Sequence, residues 1–191
     1  STVTCIRLPP HHYIHVLDNN TNVTSLVVGP CTFTAANHQT VVLGATPMTI
    51  IPPRHWCTIR DPVARDEAGA LIVDEFGQVK IRFGDSEIRD HRPPFALYPG
   101  ESLAGKVTPL QVIAPLTALR LKAVRDIKDD EGKTIRFAGD EWLFEGPATY
   151  YPRVEETVQE IVRAQILGHQ EALKMRATHE FTDTSGVPRA T

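Results

Sequence analysis

The sequence predicts an all-β fold, a tandem array of small antiparallel β-sheet modules of about 55 residues each, from three observations. Fifteen prolines are spread between Pro9 and Pro188, and proline removes a backbone donor and breaks helix interiors. Short β-branched runs alternate with turn signals, which is typical of antiparallel strands. Segments of the chain also repeat one another at offsets of 43 and 54 residues, and such repeats indicate modules that bury apolar faces against their neighbours.

The most specific repeat is a proline-proline motif. Residues 9–18 read PPHHYIHVLD and residues 52–61 read PPRHWCTIRD, so both follow the pattern Pro-Pro-x-His-aromatic and end in aspartate. We expect the matched residues to occupy the same place in successive modules, the aromatic pair in the core and the histidine pair in packing or hydrogen bonding. The matched residues are His12 with His55, Tyr13 with Trp56, and Asp18 with Asp61.

Two further repeats extend the array. Residues 118–123 (ALRLKA) match residues 172–177 (ALKMRA), and residues 29–33 (GPCTF) match residues 146–150 (GPATY). These offsets predict three complete modules and part of a fourth, so we expect the chain to be a piece of a longer array. The predicted ranges are residues 1–54, 55–111, 112–164 and 165–191.

Five apolar or β-branched runs are predicted strands. The run Val79–Phe83 alternates apolar and charged residues, which is the pattern of a half-buried strand. Turn signals that contain glycine or asparagine lie between the runs. The other four runs are Val23–Val28, Val41–Leu43, Thr49–Ile51 and Leu71–Val73.

Residues 154–167 allow two interpretations. Apolar residues recur there at helical spacing, which favours an amphipathic helix. The counterpart 54 residues upstream contains Gly100, Gly105 and Pro109, which an ordinary helix interior does not tolerate. Because repeats share a fold, we favour a strand and keep the helix as the alternative.

Charge and cysteine content exclude several classes of protein. The formal net charge is −3 with both signs spread along the chain, whereas a nucleic-acid surface needs clustered Lys and Arg. Cys5, Cys31 and Cys57 form no Cys-x-x-Cys motif, so neither a disulfide framework nor a zinc ribbon is indicated, and a reducing compartment is expected. No apolar run approaches the roughly 18 residues of a membrane span, so no membrane partner is expected.

Candidate metal and catalytic groups have simpler interpretations. His11 and His12 are adjacent and would point to opposite faces of a strand, so they do not readily share a zinc ion. The acidic run at residues 126–132 fails the EF-hand pattern, since its third position is Lys128 and its sixth is Glu131, and a hairpin turn is predicted there instead. No nucleophile elbow, phosphate loop or dinucleotide motif occurs, so we expect no enzyme activity, metal or cofactor.

Three strings of residues resemble a known family. Residues 138–147 (AGDEWLFEGP), residues 9–18 and residues 108–112 (TPLQV) together resemble the amino-terminal region of the major vault protein family. The resemblance extends from Ile6 to the last residue, and it implies a tandem array of β modules that forms the wall of a hollow ribonucleoprotein particle, the vault. Members of this family are much longer and continue into a shoulder domain, a coiled-coil helix and a cap.

The resemblance implies a structural, non-enzymatic function by self-association, with the amino-terminal modules near the waist where two half-shells meet. It also implies vault cargo proteins of the poly(ADP-ribose) polymerase type and the telomerase-associated type as partners, and vault RNA as an indirect one. The expected location is the cytoplasm, with the nucleus as a second location. The alternative is a β-repeat binding module that recruits cargo without forming the shell. A hydrolase that uses Cys57 or paired carboxylates ranks third.

The start of the chain is the candidate for the waist contact. Cys5, Ile6 and Arg7 precede the first full motif, and no repeat counterpart places them in a core. We therefore expect residues 1–7 to contribute to the contact between half-shells. A contact between identical surfaces is isologous, so each residue there faces the same patch on its partner.

Overall fold

The structure, a computed structural model, describes residues 5–177, 180–183 and 185–189. All regular elements within these ranges are β-strands, and every pairing between them is antiparallel, which confirms the predicted all-β fold. The strands fall into three groups with separate cores, which we name the first, second and third modules. The predicted boundaries near residues 54, 111 and 164 stay predictions.

The strand bounds are as follows. The first module contains β1 (Cys5–Leu8), β2 (His12–Asp18), β3 (Val23–Val28), β4 (Cys31–Thr34) and β5 (Gln39–Pro47). The second contains β6 (Thr49–Arg60), β7 (Ser86–Phe95) and β8 (Ser102–Pro109). The third contains β9 (Gln111–Ile113), β10 (Thr117–Ala123), β11 (Ile127–Lys128), β12 (Thr134–Arg136), β13 (Glu141–Glu145), β14 (Ala148–Tyr150) and β15 (Glu156–Arg163), and beyond it lie β16 (Phe181–Thr182) and β17 (Pro188–Arg189).

Each module is built around one central strand of a three-stranded sheet. The strand orders are β3-β2-β5, β7-β6-β8 and β13-β10-β15. A short strand before the central strand makes a second, smaller pairing with a later strand of the module. These pairs are β1 with β4 in the first module and β9 with β14 in the third. In the second module the start of β6 makes this pairing itself, with Thr49 opposite Phe95 at the end of β7.

Three small apolar cores hold the modules together. In each core two alternate residues of the central strand point inward, as the period of two in a strand requires. The third residue lies earlier in the chain, on β1, at the start of β6 or on β9. These residues are Leu8, Ile14 and Val16 in the first module, Ile51, Cys57 and Ile59 in the second, and Ile113, Leu119 and Leu121 in the third. Cores of this size stabilise a domain only marginally, so each module depends on its neighbours.

A left-handed residue lies ahead of the core positions of each central strand, directly before β2 and β10 and within β6, and connects the start of the module to its end. These residues are His11, Arg54 and Leu116, with φ of 58°, 61° and 59°. Their carbonyl oxygens accept hydrogen bonds from the backbone N–H groups of Met48, Leu110 and Ala164 at 2.8, 2.7 and 2.8 Å. Since each donor directly follows the last strand of its module, every module closes in the same way and passes the chain to the next position in the array.

Three of the five predicted strands are confirmed. Val23–Val28 is β3, and the runs Val41–Leu43 and Thr49–Ile51 lie within β5 and β6. The other two predictions are wrong, because Leu71–Val73 and Val79–Phe83 make only isolated bridges. Tight turns at residues 66–70 and 74–78 reverse the chain too often for a longer ladder to form.

Residues 156–163 form strand β15, so the strand interpretation of this segment is correct. The helical spacing has a structural cause, a β-bulge opposite the Arg120–Leu121 step that leaves Gln159 unpaired. Val158 pairs with Leu121 and Ile161 pairs with Leu119, so two residues three apart lie on the same face of the sheet. A bulge therefore produces the i, i+3 pattern that a helix also produces.

The segment that repeats β10 is irregular. Residues 171–177 belong to no strand, although their sequence matches residues 118–123. Leu173 and Met175 are 55% and 82% exposed, whereas their counterparts Leu119 and Leu121 are buried. The sequence of a central strand does not suffice without paired neighbours.

We expect Gly146→Ala to lower the free energy of unfolding by about 1–3 kcal/mol, because overpacking against fixed atoms is costly. The N–H of Gly146 donates to the Thr117 carbonyl at 2.8 Å, and a Cβ there would collide with the carbonyl oxygen of Ala114. Gly44→Ala is the control, since a Cβ at Gly44 meets nothing within 4 Å. Urea unfolding measures both variants, and equal stabilities would contradict this account of Gly146.

Candidate assembly surface

Two rings of β2 hold the second module against the first. The Nε2 atom of His15 lies 2.7 Å from the carbonyl oxygen of Leu97. A carbonyl only accepts hydrogen bonds, so Nε2 carries the proton. Burial raises the pKa of the Tyr13 hydroxyl, and a hydrogen bond from the Leu97 backbone N–H partly offsets this rise. The Leu97 carbonyl of the second module is thus bound by a side chain of the first, and the Tyr13 hydroxyl is influenced by the backbone of the same residue.

The edge of the first module is bound by a glutamine of the second. Thr24, on edge strand β3, donates its N–H to Oε1 of Gln78 at 2.8 Å, and Nε2 of Gln78 donates to the Thr24 carbonyl at 3.2 Å. The side-chain amide makes the two hydrogen bonds that a neighbouring strand would make. An edge that could pair with another chain is covered at this point.

A buried ion pair lies in the second module beside this junction. Nη2 of Arg89 donates to Oε1 of Glu101 at 2.6 Å, and the two side chains are 7% and 0% exposed. The same carboxylate also accepts the backbone N–H groups of Val63 and Tyr98, each at 3.0 Å. The Arg89 guanidinium lies 4.9 Å from the ring centroid of Phe95. Every polar atom of this carboxylate therefore has a partner, as a buried charge requires.

The third module places different residues at the same positions. Phe144 corresponds to Arg89, because the first pairs with Leu119 and the second with the equivalent Cys57. Tyr150 corresponds to Phe95, because they lie opposite the equivalent residues Gln111 and Thr49. The rings of Phe144 and Tyr150 meet edge to face at 5.6 Å, and the Tyr150 hydroxyl donates to Glu156 at 2.9 Å. Burial, and then the bond to Glu156, raise the pKa of Tyr150. The Tyr150 hydroxyl thus donates to Glu156 in the third module, whereas Arg89 donates to the corresponding Glu101 in the second.

These core polar residues were not identified from the sequence. A signal was present, since Glu101 directly precedes β8 and Glu156 is the first residue of β15, the corresponding strand of the third module. Their separation differs by one residue from the 54-residue offset of the second repeat, so an ungapped comparison does not match them.

The junction between the second and third modules is looser. Nη1 of Arg125 donates to Asp85 across it at 3.3 Å. A backbone hydrogen bond from Ser86, and then Arg125 and Arg82, hold the pKa of Asp85 below its ordinary value. Beside this contact lies an open cavity of about 400 Å³, which we name the junction groove, between Trp56 and Thr58 on one side and Pro152 on the other.

The matching face of the third module is not covered by any described residue. Leu116 and Leu143 are 64% and 51% exposed, and together with Ala118, Val162 and Ala164 they line a shallow cavity of about 320 Å³. Ala118 pairs with Val162 as Trp56 pairs with Thr108, so this is the face that the second module turns toward the third. The array therefore presents a free face of the kind that its own modules cover.

The paired residues of the proline-proline motif occupy matched positions. Nδ1 of His12 lies 3.0 Å from the Pro10 carbonyl, and Nδ1 of His55 lies 2.9 Å from the Pro53 carbonyl. Each histidine ring therefore bonds to the backbone of its own turn. Tyr13 is buried and Trp56 is half-buried, both facing a junction.

The aspartates that end the two motifs have different partners. Oδ1 of Asp18 accepts the N–H of Asn20 at 2.8 Å and caps a short turn. Oδ1 of Asp61 accepts the N–H of Gly84 at 2.7 Å and closes a loop of more than twenty residues. The matched sequence positions therefore close loops of different length.

Residues 5–7 belong to the first module, which differs from the expectation that they have no repeat counterpart. They pair with Thr34, Phe33 and Thr32 in strand β4, and Ile6 packs against the first core. The Cys5 and Arg7 side chains are exposed. Residues 1–4 lie outside the described residues, and the half-shell contact stays a prediction.

The described residues contain no group of three or more His, Cys, Asp or Glu side chains that is close enough to hold a metal ion. Asp129 accepts the N–H groups of Glu131 and Lys133 at 3.1 and 2.8 Å, so it caps the turn between β11 and β12. Cys57 is fully buried, and burial raises the pKa of its thiol, which disfavours the reactive thiolate. That the chain needs no metal or cofactor stays a prediction.

The fold and junctions define a repeat protein whose modules stack through matched faces. A family described as the Major Vault Protein repeat domain matches residues 48–107, and a second family of the same description matches residues 111–153. The chain is 57% identical over 184 residues to major vault protein alpha of Dictyostelium discoideum. The matched segment covers 96% of this chain and 22% of that protein. It is 50% identical over 186 residues to the major vault proteins of Homo sapiens and Ictalurus punctatus, covering 97% of this chain and 21% of each.

The chain belongs to the major vault protein repeat family. It spans about a fifth of the length of the curated relatives it matches. None of the described residues forms a helix long and apolar enough to cross a membrane.

We expect Arg89→Leu to lower the free energy of unfolding by about 3–5 kcal/mol, because it leaves the Glu101 carboxylate buried without its countercharge. Arg120→Leu is the matched control. Arg120 contacts two carboxylates, Glu141 at 2.6 Å and Glu160 at 2.9 Å. These contacts lie on an exposed surface, so we expect little change in the free energy of unfolding. Denaturant unfolding of both variants tests this, and similar losses would show that burial of the Arg89 pair contributes nothing.

Stability should fall at alkaline pH through Tyr150. Its pKa is raised in the folded protein, so the unfolded chain loses the proton first, from about pH 10 upward. The contribution of Tyr150 is fully present below that pH and is lost as the pH rises toward the folded pKa. Chemical unfolding at pH 8 and at about pH 11 should show a smaller alkaline loss for Tyr150→Phe than for the unmodified chain. An identical loss would contradict this role of Tyr150.

Proposed function

We propose that this chain is a wall segment of the vault shell and acts as a non-enzymatic structural component by self-association. The observation that carries the proposal is the identical closure of the three modules through His11, Arg54 and Leu116. Repetition of one closure fixes the relation between consecutive modules, as in other stacked arrays. The names of the relatives, all major vault proteins, support the identity of the assembly.

The free face of the third module supports elongation of the array. Its exposed apolar residues Leu116 and Leu143 correspond in position to residues that the second module turns toward the third. A further module would remove this surface from water, which is favourable by about 25 cal/mol for each Å² of apolar area. The remaining strand edges offer backbone groups for lateral pairing between chains.

Recruitment of cargo proteins is the second candidate. The exposed aromatic rings of Phe76 and Phe83, 71% and 83% exposed on the loop of residues 61–85, favour it as a protein-binding feature. Exposed large apolar side chains in one region mark interaction sites. Either a cargo protein or a neighbouring chain of the shell would cover them.

A chimaera separates the two candidates. The segment of Dictyostelium major vault protein alpha that matches this chain is replaced by this chain, and the product is viewed by electron microscopy. Closed shells support the structural role. A chimaera that stays unassembled while it still binds a cargo protein of the poly(ADP-ribose) polymerase type would contradict it and support recruitment.

The waist contact is tested with single substitutions in that chimaera, because deletion of residues 1–7 would also remove most of β1. We expect Arg7→Glu to give half-shells, since a charge change at an isologous contact acts on both partners. Arg60→Glu, an exposed strand arginine of the second module, is the control and should leave whole particles. Whole particles with Arg7→Glu would remove Arg7 from the waist.

A further inference from the structure

The two junctions are built from matched positions that hold different residues. Trp56 pairs with Thr108 as Tyr13 pairs with Thr46, and two residues further along the strand Thr58 matches His15. Leu97 and Pro152 each lie two residues beyond the aromatic residue opposite the first short strand, Phe95 in one module and Tyr150 in the next. The differences are therefore Trp56 for Tyr13, Thr58 for His15 and Pro152 for Leu97.

The differences leave the junction between the second and third modules with unfilled volume and with fewer hydrogen-bonding groups. A threonine is smaller than a histidine and leaves the volume of the imidazole ring unfilled. An indole donates but does not accept, so Trp56 lacks the acceptor that the Tyr13 oxygen provides. Proline has a carbonyl but no N–H, so Pro152 offers the backbone acceptor that Leu97 offers but not its backbone donor. The result is the junction groove, whose volume of about 400 Å³ is in the range of roughly 300–1,000 Å³ that ligand pockets occupy.

We propose that the junction groove binds a planar, neutral heteroaromatic ring with an N–H donor, of the imidazole or purine kind. The ring takes the place of the His15 imidazole in the first junction, lies against the Trp56 indole, and donates its N–H to the Pro152 carbonyl. In the junction between the first and second modules, the His15 ring makes the equivalent bond to the Leu97 carbonyl at 2.7 Å. The matched space in that junction therefore holds a ring of this kind. The aromatic face of Trp56 favours a planar ligand.

The charged side chains that line the groove are balanced, which suits a neutral ring. Arg153 supplies one positive charge and forms no ion pair with any described residue, and Glu156 supplies one negative charge. Glu156, the acidic residue of the lining, already accepts the Tyr150 hydroxyl at 2.9 Å. A bound ring would connect β6 to the segment before β15 and hold the third module against the second, as His15 holds the second against the first.

The binding is tested by titrating the isotope-labelled chain with imidazole above about pH 8, where the ring is neutral. The two tryptophans give two indole N–H resonances, and Trp142→Phe assigns them. We expect a saturable shift of the Trp56 resonance with a millimolar dissociation constant and no saturable shift of the Trp142 resonance. Purine, the second probe, should compete for the same site.

Two comparisons decide the mechanism. 1-Methylimidazole has no N–H and should bind at least about threefold more weakly than imidazole, because one hydrogen bond is lost. Thr58→His should abolish the response, since its own ring fills the groove, whereas the near-isosteric Thr58→Val should retain it. Circular dichroism checks the fold of both variants, and if Thr58→His does not fold, the two imidazoles decide alone. The proposal is overturned by equal responses at the two tryptophans, by equal affinity for the two imidazoles, or by binding to folded Thr58→His.

Discussion

The array depends on a backbone constraint, the left-handed residue ahead of the core positions of each central strand. A non-glycine residue in this conformation costs roughly 1–2 kcal/mol, so it needs compensation from its surroundings. The closing hydrogen bond to His11, Arg54 or Leu116 supplies part of it, and the buried apolar residue three positions earlier supplies more. Because the donor of that bond directly follows the last strand, closure of one module also fixes where the next begins.

Around this constant backbone the polar content of the interior changes from module to module. A carboxylate at the start of β8 or β15, buried at Glu101 and half-buried at Glu156, is paired with Arg89 in the second module and with the Tyr150 hydroxyl in the third. Each solution satisfies the carboxylate, but only the first requires a buried countercharge. The modules therefore differ in how sensitive they are to substitution although they share one fold.

The junctions follow the same logic. Where the His15 imidazole reaches the Leu97 carbonyl, the first two modules are joined by a directed hydrogen bond. Where Thr58 and Pro152 replace two of these residues, a groove stays open and the contact depends on the peripheral Arg125–Asp85 pair. Such a pair between partly exposed groups contributes little in water, so the second junction is the more compliant one. An array built from these modules is therefore not uniformly stiff.

The sequence by itself determined the all-β class, the repeated modules and the pairing of the two proline-proline motifs, because proline placement, strand-length runs and repeats are local properties. It also pointed to strand at residues 156–163, through the glycines of the counterpart rather than through periodicity. Only the tertiary structure decided the bulge that gives Val158 and Ile161 their helical spacing, the core role of Ile6, and the use of Gln78 as a strand substitute. Each of these depends on atoms brought together from distant parts of the chain, and pairing across such distances leaves no periodic trace in the residues themselves.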